Sequence, residues 1–418
     1  MPQTLQQRVE KGRETIGVIV PWTLPQERPG DDRLSETAGL ALALDCELSF
    51  IRSENVRKPS AAYLLSGGLL QRLEDDVRTR GCDIVVIDAA LTPIQQRNLE
   101  TRLKTKVIDR TGLILEIFGL RARTKEGRLQ VELARLGYER SRLVRTWTHL
   151  ERQRGGRGFL GGPGETQIEA DKRMIDRALQ SLKRDLEQVK RTRAVQRAGR
   201  RRGERPIVAL VGYTNAGKST LFNALTGAKV FAKDMPFATL DPTIRQMELS
   251  GYGPVSLIDT VGFITDLPTH LIESFRATLE ETLDADLLLH VRDRSSAADE
   301  VQKTDVLTVL EQLSEGANRP LPPMVEVWNK IDCLAPEARL ALENSAIMQA
   351  EPPILVSAAS GEGLETLQAR LLADLKAGGQ TFAVQLPGTA GRARSWLHQY
   401  GDVEQEMVLE DGGVSLEV

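Results

Sequence analysis

The sequence predicts a multidomain α/β protein, and three observations carry that expectation. Short apolar runs alternate with amphipathic stretches in the N-terminal part, two matching narrow apolar seams follow, and an apolar run then delivers a glycine-rich loop to a helix start. A chain of 418 residues is too long for one core, so its segments should fold as several domains. Hydrophobic residues at 41% and charged residues at 27% fit a globular chain rather than a disordered or fibrous one.

Residues 1–127 are expected to form a small parallel α/β domain. Strands are expected at Thr15–Val20, Glu47–Arg52, Asp83–Asp88 and Lys106–Asp109, and helices at Leu34–Ala43, Leu64–Arg80 and Pro93–Leu103. Such β/α alternation gives parallel strands joined by crossover helices.

Residues 128–205 read as an antiparallel α-hairpin. Leu129, Leu133, Leu136, Leu143, Trp147 and Leu150 recur at spacings of 4, 3, 7, 4 and 3. Ile168, Ile175, Leu179, Leu182, Leu186 and Val189 repeat at 7, 4, 3, 4 and 3. Narrow seams of this period suit two helices packed along each other. The connection Gly155–Gln167 has the glycines of a flexible linker. Phe159 and Leu160 at an exposed tip, with Arg157, Gly161 and Gly162 around them, favour a projecting finger instead. From Lys190 the second helix carries Arg191, Arg193, Arg197, Arg200, Arg201, Arg202 and Arg205 against Glu204 alone. One-sign charge beside such a finger points to a polyanion, with RNA the expected partner. The net charge of −3 conceals that run.

Residues 206–377 carry the chemistry. The run Gly212-Tyr213-Thr214-Asn215-Ala216-Gly217-Lys218-Ser219 fits G-x-x-x-x-G-K-[ST] and follows the apolar stretch Pro206–Val211. Its backbone N–H groups and the helix N-terminus converge on one point, which favours a polyphosphate. Lys218 would reach the β/γ-phosphates and Ser219 would offer a hydroxyl to Mg²⁺. Downstream, Val255–Ile258 runs into Asp259-Thr260-Val261-Gly262, a D-x-x-G arrangement. Its carboxylate can hold Mg²⁺ through water and its glycine lets a backbone N–H approach the γ-phosphate. Strand-like Met324–Trp328 leads to Asn329-Lys330-Ile331-Asp332. A carboxylate such as Asp332 accepts hydrogen bonds from guanine N1–H and its exocyclic amine, whereas adenine would leave it unpaired. Ser357-Ala358-Ala359, after Pro353–Val356, offers backbone to the guanine carbonyl. Together these four motifs, each at a strand end, specify a GTP/GDP-binding P-loop GTPase domain.

Between the first two motifs lies Phe237-Ala238-Thr239-Leu240-Asp241-Pro242-Thr243, where a switch loop must place a threonine on Mg²⁺. Spacing does not choose between Thr239 and Thr243. Phe263 stands where Ras-like enzymes carry the glutamine that orients the attacking water, so no catalytic residue is assigned. Slow intrinsic hydrolysis and a partner that completes the site are expected; alternatively the ring packs in the core and another group holds the water. Asn215 could help bind K⁺ beside the phosphates or could simply stabilise a turn. Residues 378–418 read as a small α/β module, with a strand at Thr381–Leu386, a helix at Gly391–Tyr400 and two strands around Asp411-Gly412-Gly413. No Lys or Arg follows Arg394.

Other function classes find little support. The three cysteines (Cys46, Cys82, Cys333) and four histidines (His149, His270, His290, His398) are scattered, without disulfide or metal-ligand spacing. A second catalytic constellation, as an RNA-modifying enzyme would need, is therefore absent from the pattern. No apolar run reaches bilayer length, and Met1–Glu14 is of mixed charge. A cytoplasmic monomer is expected, with peripheral membrane contact the other arrangement left open.

These residues resemble the HflX family of translational GTPases over nearly the whole chain. The resemblance rests on Gly212–Thr220, Phe237–Asp241, Asp259–Phe263 and Asn329–Asp332, and on segments outside the GTPase motifs. Those are Gly161–Glu169, Gln95–Glu100, Asp109-Arg110-Thr111 and Gly127–Leu133. It implies GTP-dependent binding to the large ribosomal subunit, splitting of stalled ribosomes, and hydrolysis stimulated by the subunit. It further implies that Thr239 is the Mg²⁺ threonine and that the hairpin tip reaches toward the peptidyl-transferase region. Leu65-Ser66-Gly67-Gly68-Leu69-Leu70 lacks the lysines the family commonly has near Tyr63, so no second nucleotide site is assigned there.

Overall fold

A computed structural model of the chain describes residues 13–23, 30–153, 163–201, 205–228, 236–265, 282–377, 382–401, 403, 405–409 and 412–418. β1 (Thr15–Trp22), α1 (Asp31–Leu42), β2 (Glu47–Asn55), α2 (Gly67–Arg80), β3 (Ile84–Ile87), α3 (Pro93–Leu103) and β4 (Lys106–Asp109) alternate as the sequence suggests. All four strands are parallel, in the order β2-β1-β3-β4. β3 is Ile-Val-Val-Ile and wholly buried, as befits a strand covered on both faces. α1 begins three residues earlier than its apolar pattern, at Asp31 and Asp32, because acidic side chains suit a helix N-terminus. α4 (Arg110–Arg121) follows β4 without a loop, since the Asp109 carboxylate accepts from the Gly112 N–H at 2.8 Å.

The hairpin helices are α5 (Lys125–Gln153) and α6 (Pro163–Arg201). The connection is shorter than expected: Pro163 to Gln167 are helical, with proline at the first position, where its missing N–H has no intrahelical partner to lose. Leu133 and Leu186 of the two seams are buried. A second face of α5, Gly127, Gln130, Val131 and Ala134, is also buried, and α5 packs on α3 and α4. The tip residues Arg157, Phe159, Leu160, Gly161 and Gly162, and Arg202, lie outside the described residues.

The second sheet comprises β5 (Ile207–Val211), β6 (Thr243–Leu249), β7 (Gly253–Asp259), β8 (Leu287–Asp293), β9 (Met324–Asn329) and β10 (Ile354–Leu355). Its order is β10-β9-β8-β5-β7-β6, with only β6 antiparallel to its neighbour among these strands. The helices are α7 (Lys218–Thr226), α8 (Asp299–Ala317), α9 (Pro336–Ile347) and α10 (Leu364–Ala377). β5 is central, so the loop after it opens where the strand order reverses, the usual ligand crevice of such sheets.

The chain divides into two compact units. Met1–Leu249 with Gly253–Leu367 form one unit, so the first sheet, the hairpin and the second sheet belong together. One buried cluster runs from Ile16, Val18 and Phe118 to Ala209, Phe237, Phe263 and Leu310. Ser250–Tyr252 with Gln368–Val418 form the other unit. In it, β11 (Ala383–Leu386), α11 (Gly391–Tyr400), β12 (Gln405–Val408) and β13 (Val414–Glu417) give an antiparallel sheet ordered β11-β13-β12. Among the described residues no helix is long and apolar enough to cross a membrane.

Candidate nucleotide site

The phosphate loop leaves β5 at Gly212 and enters α7 at Lys218. Gly217 has φ +93°, and a Cβ there would overlap the Asn329 amide. Glycine thus meets both demands, a left-handed backbone and close approach of the base-reading segment. Asn329 joins the two parts: its Nδ2 donates to Ala216 O at 2.8 Å and its Oδ1 accepts from the Ala358 N–H at 2.9 Å. Lys330, at φ +64°, pairs with Asp293 at 2.8 Å. Asp332 is exposed and open to a base, and its carboxyl is held below its usual range first by a hydrogen bond with Ser357. Ala359, two residues after Ser357, is exposed, while Ile331 is buried and can offer only backbone.

At the phosphate end, Thr214, Asn215, Gly217, Lys218, Ser219 and Thr220 face Phe237, Ala238, Thr239, Thr260 and Gly262. Lys218 Nζ donates to Gly212 O at 3.0 Å and to Tyr213 O at 2.7 Å. Burial pushes its pKa down to about 8, against the pull of Asp259. Ser219 Oγ lies 2.8 Å from Thr239 Oγ1, and both hydroxyls donate to Asp259 Oδ2 at 2.7 Å. Asp259 Oδ1 is buried and has no hydrogen-bond partner among the described residues. Burial raises the Asp259 carboxyl, with Ser219 and Thr239 opposing.

Two hydroxyls and a carboxylate with an unused oxygen are the hard donors a magnesium ion takes. Among the described residues no group of three His, Cys, Asp or Glu side chains could hold a metal alone. The set therefore fits an ion that shares its coordination with substrate phosphates. Thr243 is not in this set; it opens β6 and pairs in register with Asp259.

The structure gives the side chains of several other candidate residues partners outside the phosphate pocket. Tyr213 turns its ring away from the phosphate loop, because its hydroxyl hydrogen-bonds Glu36 of α1 and accepts from the Thr265 N–H at 2.8 Å. Leu240 and Val261 are buried in the core, so their side chains cannot reach a nucleotide. Thr260 donates its hydroxyl to Leu210 O at 2.5 Å. Asp241 faces the turn before α5, where its carboxylate accepts from the N–H groups of Arg123 and Thr124. Phe237 lines the pocket but also stacks edge-on against Phe118 of α4, with centroids 4.7 Å apart. Phe263 is buried, and its backbone bridges the phosphate loop: its N–H donates to Gly212 O at 3.1 Å and its carbonyl accepts from the Thr214 N–H at 2.7 Å.

Sequence reasoning missed Thr220, although it directly follows Ser219 in the first turn of α7. It also gave no role to Arg110, although Asp109-Arg110-Thr111 is one of the segments that carry the family resemblance. Arg110 is buried and binds Asp88 at 2.7 Å, Glu36 at 2.6 Å and the carbonyl of Thr265 at 2.9 Å. Asp88 follows β3 at the point where the first sheet reverses its order. The side of the sheet where a ligand is ordinarily taken is thus tied through Arg110 to Thr265, just after D-x-x-G.

A phosphate loop, a D-x-x-G carboxylate, an N-K-x-D base reader and a switch threonine on one central-strand crevice define a P-loop GTPase. Residues 31–119, 121–200 and 207–330 match families described as GTP-binding GTPase N-terminal, GTP-binding GTPase Middle Region and 50S ribosome-binding GTPase. The GTPase HflX of Magnetococcus marinus is 48% identical over 90% of this chain and 84% of its own length. That of Escherichia coli is 41% identical over 98% and 94%. Among solved structures, the GDP complex of SsGBP aligns over 87% of this chain and 99% of that one, with a TM-score of 0.50 and 25% identity. The chain belongs to the HflX family of GTPases, and it is a GTP-hydrolysing enzyme.

Proposed function

We propose that this GTPase, in its GTP state, binds the large ribosomal subunit and splits stalled 70S-type ribosomes, and that the subunit stimulates its hydrolysis. The observation that carries the partner-gated part is Phe263: the ring is buried in the core. Among the described residues, none that lines the phosphate pocket is Gln, Glu or His. Hydrolysis needs an oriented water, and the group that orients it would come from the partner. The ribosome is supported as that partner by the match to the 50S ribosome-binding GTPase family and by α6, whose Arg191 is exposed and which also carries Arg193, Arg200 and Arg201. Arg157, Phe159, Leu160, Gly161, Gly162 and Arg202 are assigned to the same RNA contact.

In this reading Lys218 leaves the carbonyls of Gly212 and Tyr213 and pairs with the β/γ-phosphates. Gly262 presents its N–H to the γ-phosphate. Asn329, Asp332 and the Ser357–Ala359 backbone hold guanine, with Lys330 bracing the base. Ser219 and Thr239 would hold Mg²⁺ directly and Asp259 through water; when bound, Mg²⁺ offsets charge on the phosphate oxygens. Asn215, at φ +62° in the same pocket, is the candidate for K⁺.

The test is sedimentation of intact ribosomes incubated with the protein and a non-hydrolysable GTP analogue. Free subunits should increase over a GDP control. Binding without that increase would make the protein a ribosome-assembly or RNA-associated GTPase without splitting activity.

A further inference from the structure

Asp241 lies two residues beyond Thr239, yet its carboxylate takes no part in the phosphate pocket. Oδ2 accepts from the backbone N–H groups of Arg123 at 2.9 Å and Thr124 at 3.0 Å, and Oδ1 from the Thr124 hydroxyl at 2.5 Å. The Thr124 hydroxyl in turn accepts from the Gly127 N–H at 2.9 Å. Arg123 and Thr124 immediately precede α5, the first helix of the hairpin, and Thr124 bonds into its first turn through Gly127. A carboxylate there satisfies N–H groups that have no intrahelical acceptor and complements the positive end of the helix.

Gly127 supplies an independent observation. It is buried in the first turn of a 29-residue helix, where alanine would be the stronger helix former. A Cβ at this position would overlap Asp241 Oδ1. Its smallness has a spatial reason, which is to admit that carboxylate. The chain around Asp241 is held as well: Leu240 is buried, Phe237 packs on Phe118, and Thr239 reaches Asp259.

We propose that Asp241, Thr124 and Gly127 form a latch that positions the segment Phe237–Asp241 for Mg²⁺–GTP and transmits its state to hairpin helix α5. Asp241 is a positioning residue, acting on the nucleotide through Thr239 rather than by contact. The proposal rests on Thr239 as the Mg²⁺ threonine. Thr239 is needed when a γ-phosphate and its ion are present, so the latch is tight with GTP and loosens with GDP.

The test uses the full chain with Gly127→Ala, Asp241→Asn and Thr239→Ala. Affinities for a GTP analogue and for GDP, and the Mg²⁺ concentration giving half-maximal hydrolysis, are measured for each. Gly127→Ala and Asp241→Asn should weaken the GTP analogue about tenfold, the usual scale of coupling between sites, with GDP affinity unchanged and the Mg²⁺ requirement raised. Thr124→Val should do the same, and Thr124→Ser, which keeps the hydroxyl, should restore the wild-type ratio. In wild type, hydrogen exchange of the amides at 123, 124 and 127 should be slower with the GTP analogue than with GDP. Equal weakening of both nucleotides, or an unchanged ratio and Mg²⁺ requirement in Gly127→Ala and Asp241→Asn, overturns the latch. If Thr239→Ala also leaves the Mg²⁺ requirement unchanged, the underlying assignment of the magnesium threonine fails instead.

Discussion

Asp332 stands exposed while Asn329, three residues earlier, is buried and bonded to both the phosphate loop and Ala358. The division of labour follows from chemistry. The asparagine amide donates to one loop and accepts from another, so it locks the cradle. The carboxylate has a hydrogen bond with Ser357 but stays exposed, and in the proposed reading it accepts from the N1–H and amine of guanine. Asp332→Asn would keep one oxygen for N1–H but turn an amide N–H toward the exocyclic amine, losing one charge-assisted hydrogen bond of about 1.5–3 kcal/mol and weakening the other. GTP affinity should fall by roughly a hundredfold or more, and a base with a carbonyl in place of the amine should be gained. Titration with fluorescent GTP and xanthosine triphosphate checks both; undiminished GTP binding would remove Asp332 as the base reader.

Between elements, Arg110 at the start of α4 ties the first sheet to the segment after D-x-x-G. It pairs with Asp88 and Glu36 and donates to Thr265 O, while Tyr213 holds the Thr265 N–H. Burial alone would raise the Asp88 carboxyl, but Arg110 and Arg33 hold it below its usual range. Arg110→Ala removes the buried partner of Asp88 Oδ1, leaving Arg33 and Thr37 on Oδ2, and should lower unfolding stability by about 3 kcal/mol. Denaturant unfolding followed at Trp22 and Trp328, one in each sheet, should show both lowered together; a change confined to Trp22 would contradict the shared core. Much of the local structure was legible beforehand, because β/α alternation, helix capping and strand-end motifs are local. Thr92 with Gln95 forms a capping box and starts α3 where its apolar pattern does. The joints were not legible. Nothing near Tyr213 in sequence says that its hydroxyl meets Glu36, 177 positions away. Asp241 was read with its neighbours because a switch loop groups residues by order, whereas the fold turns alternate side chains to opposite partners.

For the whole molecule, both switch segments are fastened outside the GTPase sheet, Phe237–Asp241 to α4 and α5, and Thr265 to Arg110. A phosphate event at β5 is thereby coupled to the hairpin that carries the basic run. The same core buries Phe263, at the position where Ras-like enzymes carry a water-orienting amide. In the proposed account these features make a switch that binds GTP and waits for a partner to hydrolyse it. The most direct measurement is multiple-turnover GTP hydrolysis by the full chain, alone and with purified large ribosomal subunits. The account predicts a slow rate alone and stimulation on the order of a hundredfold or more, as when a missing catalytic group is supplied in trans. A fast rate for the protein alone, unchanged by the subunits, would contradict it.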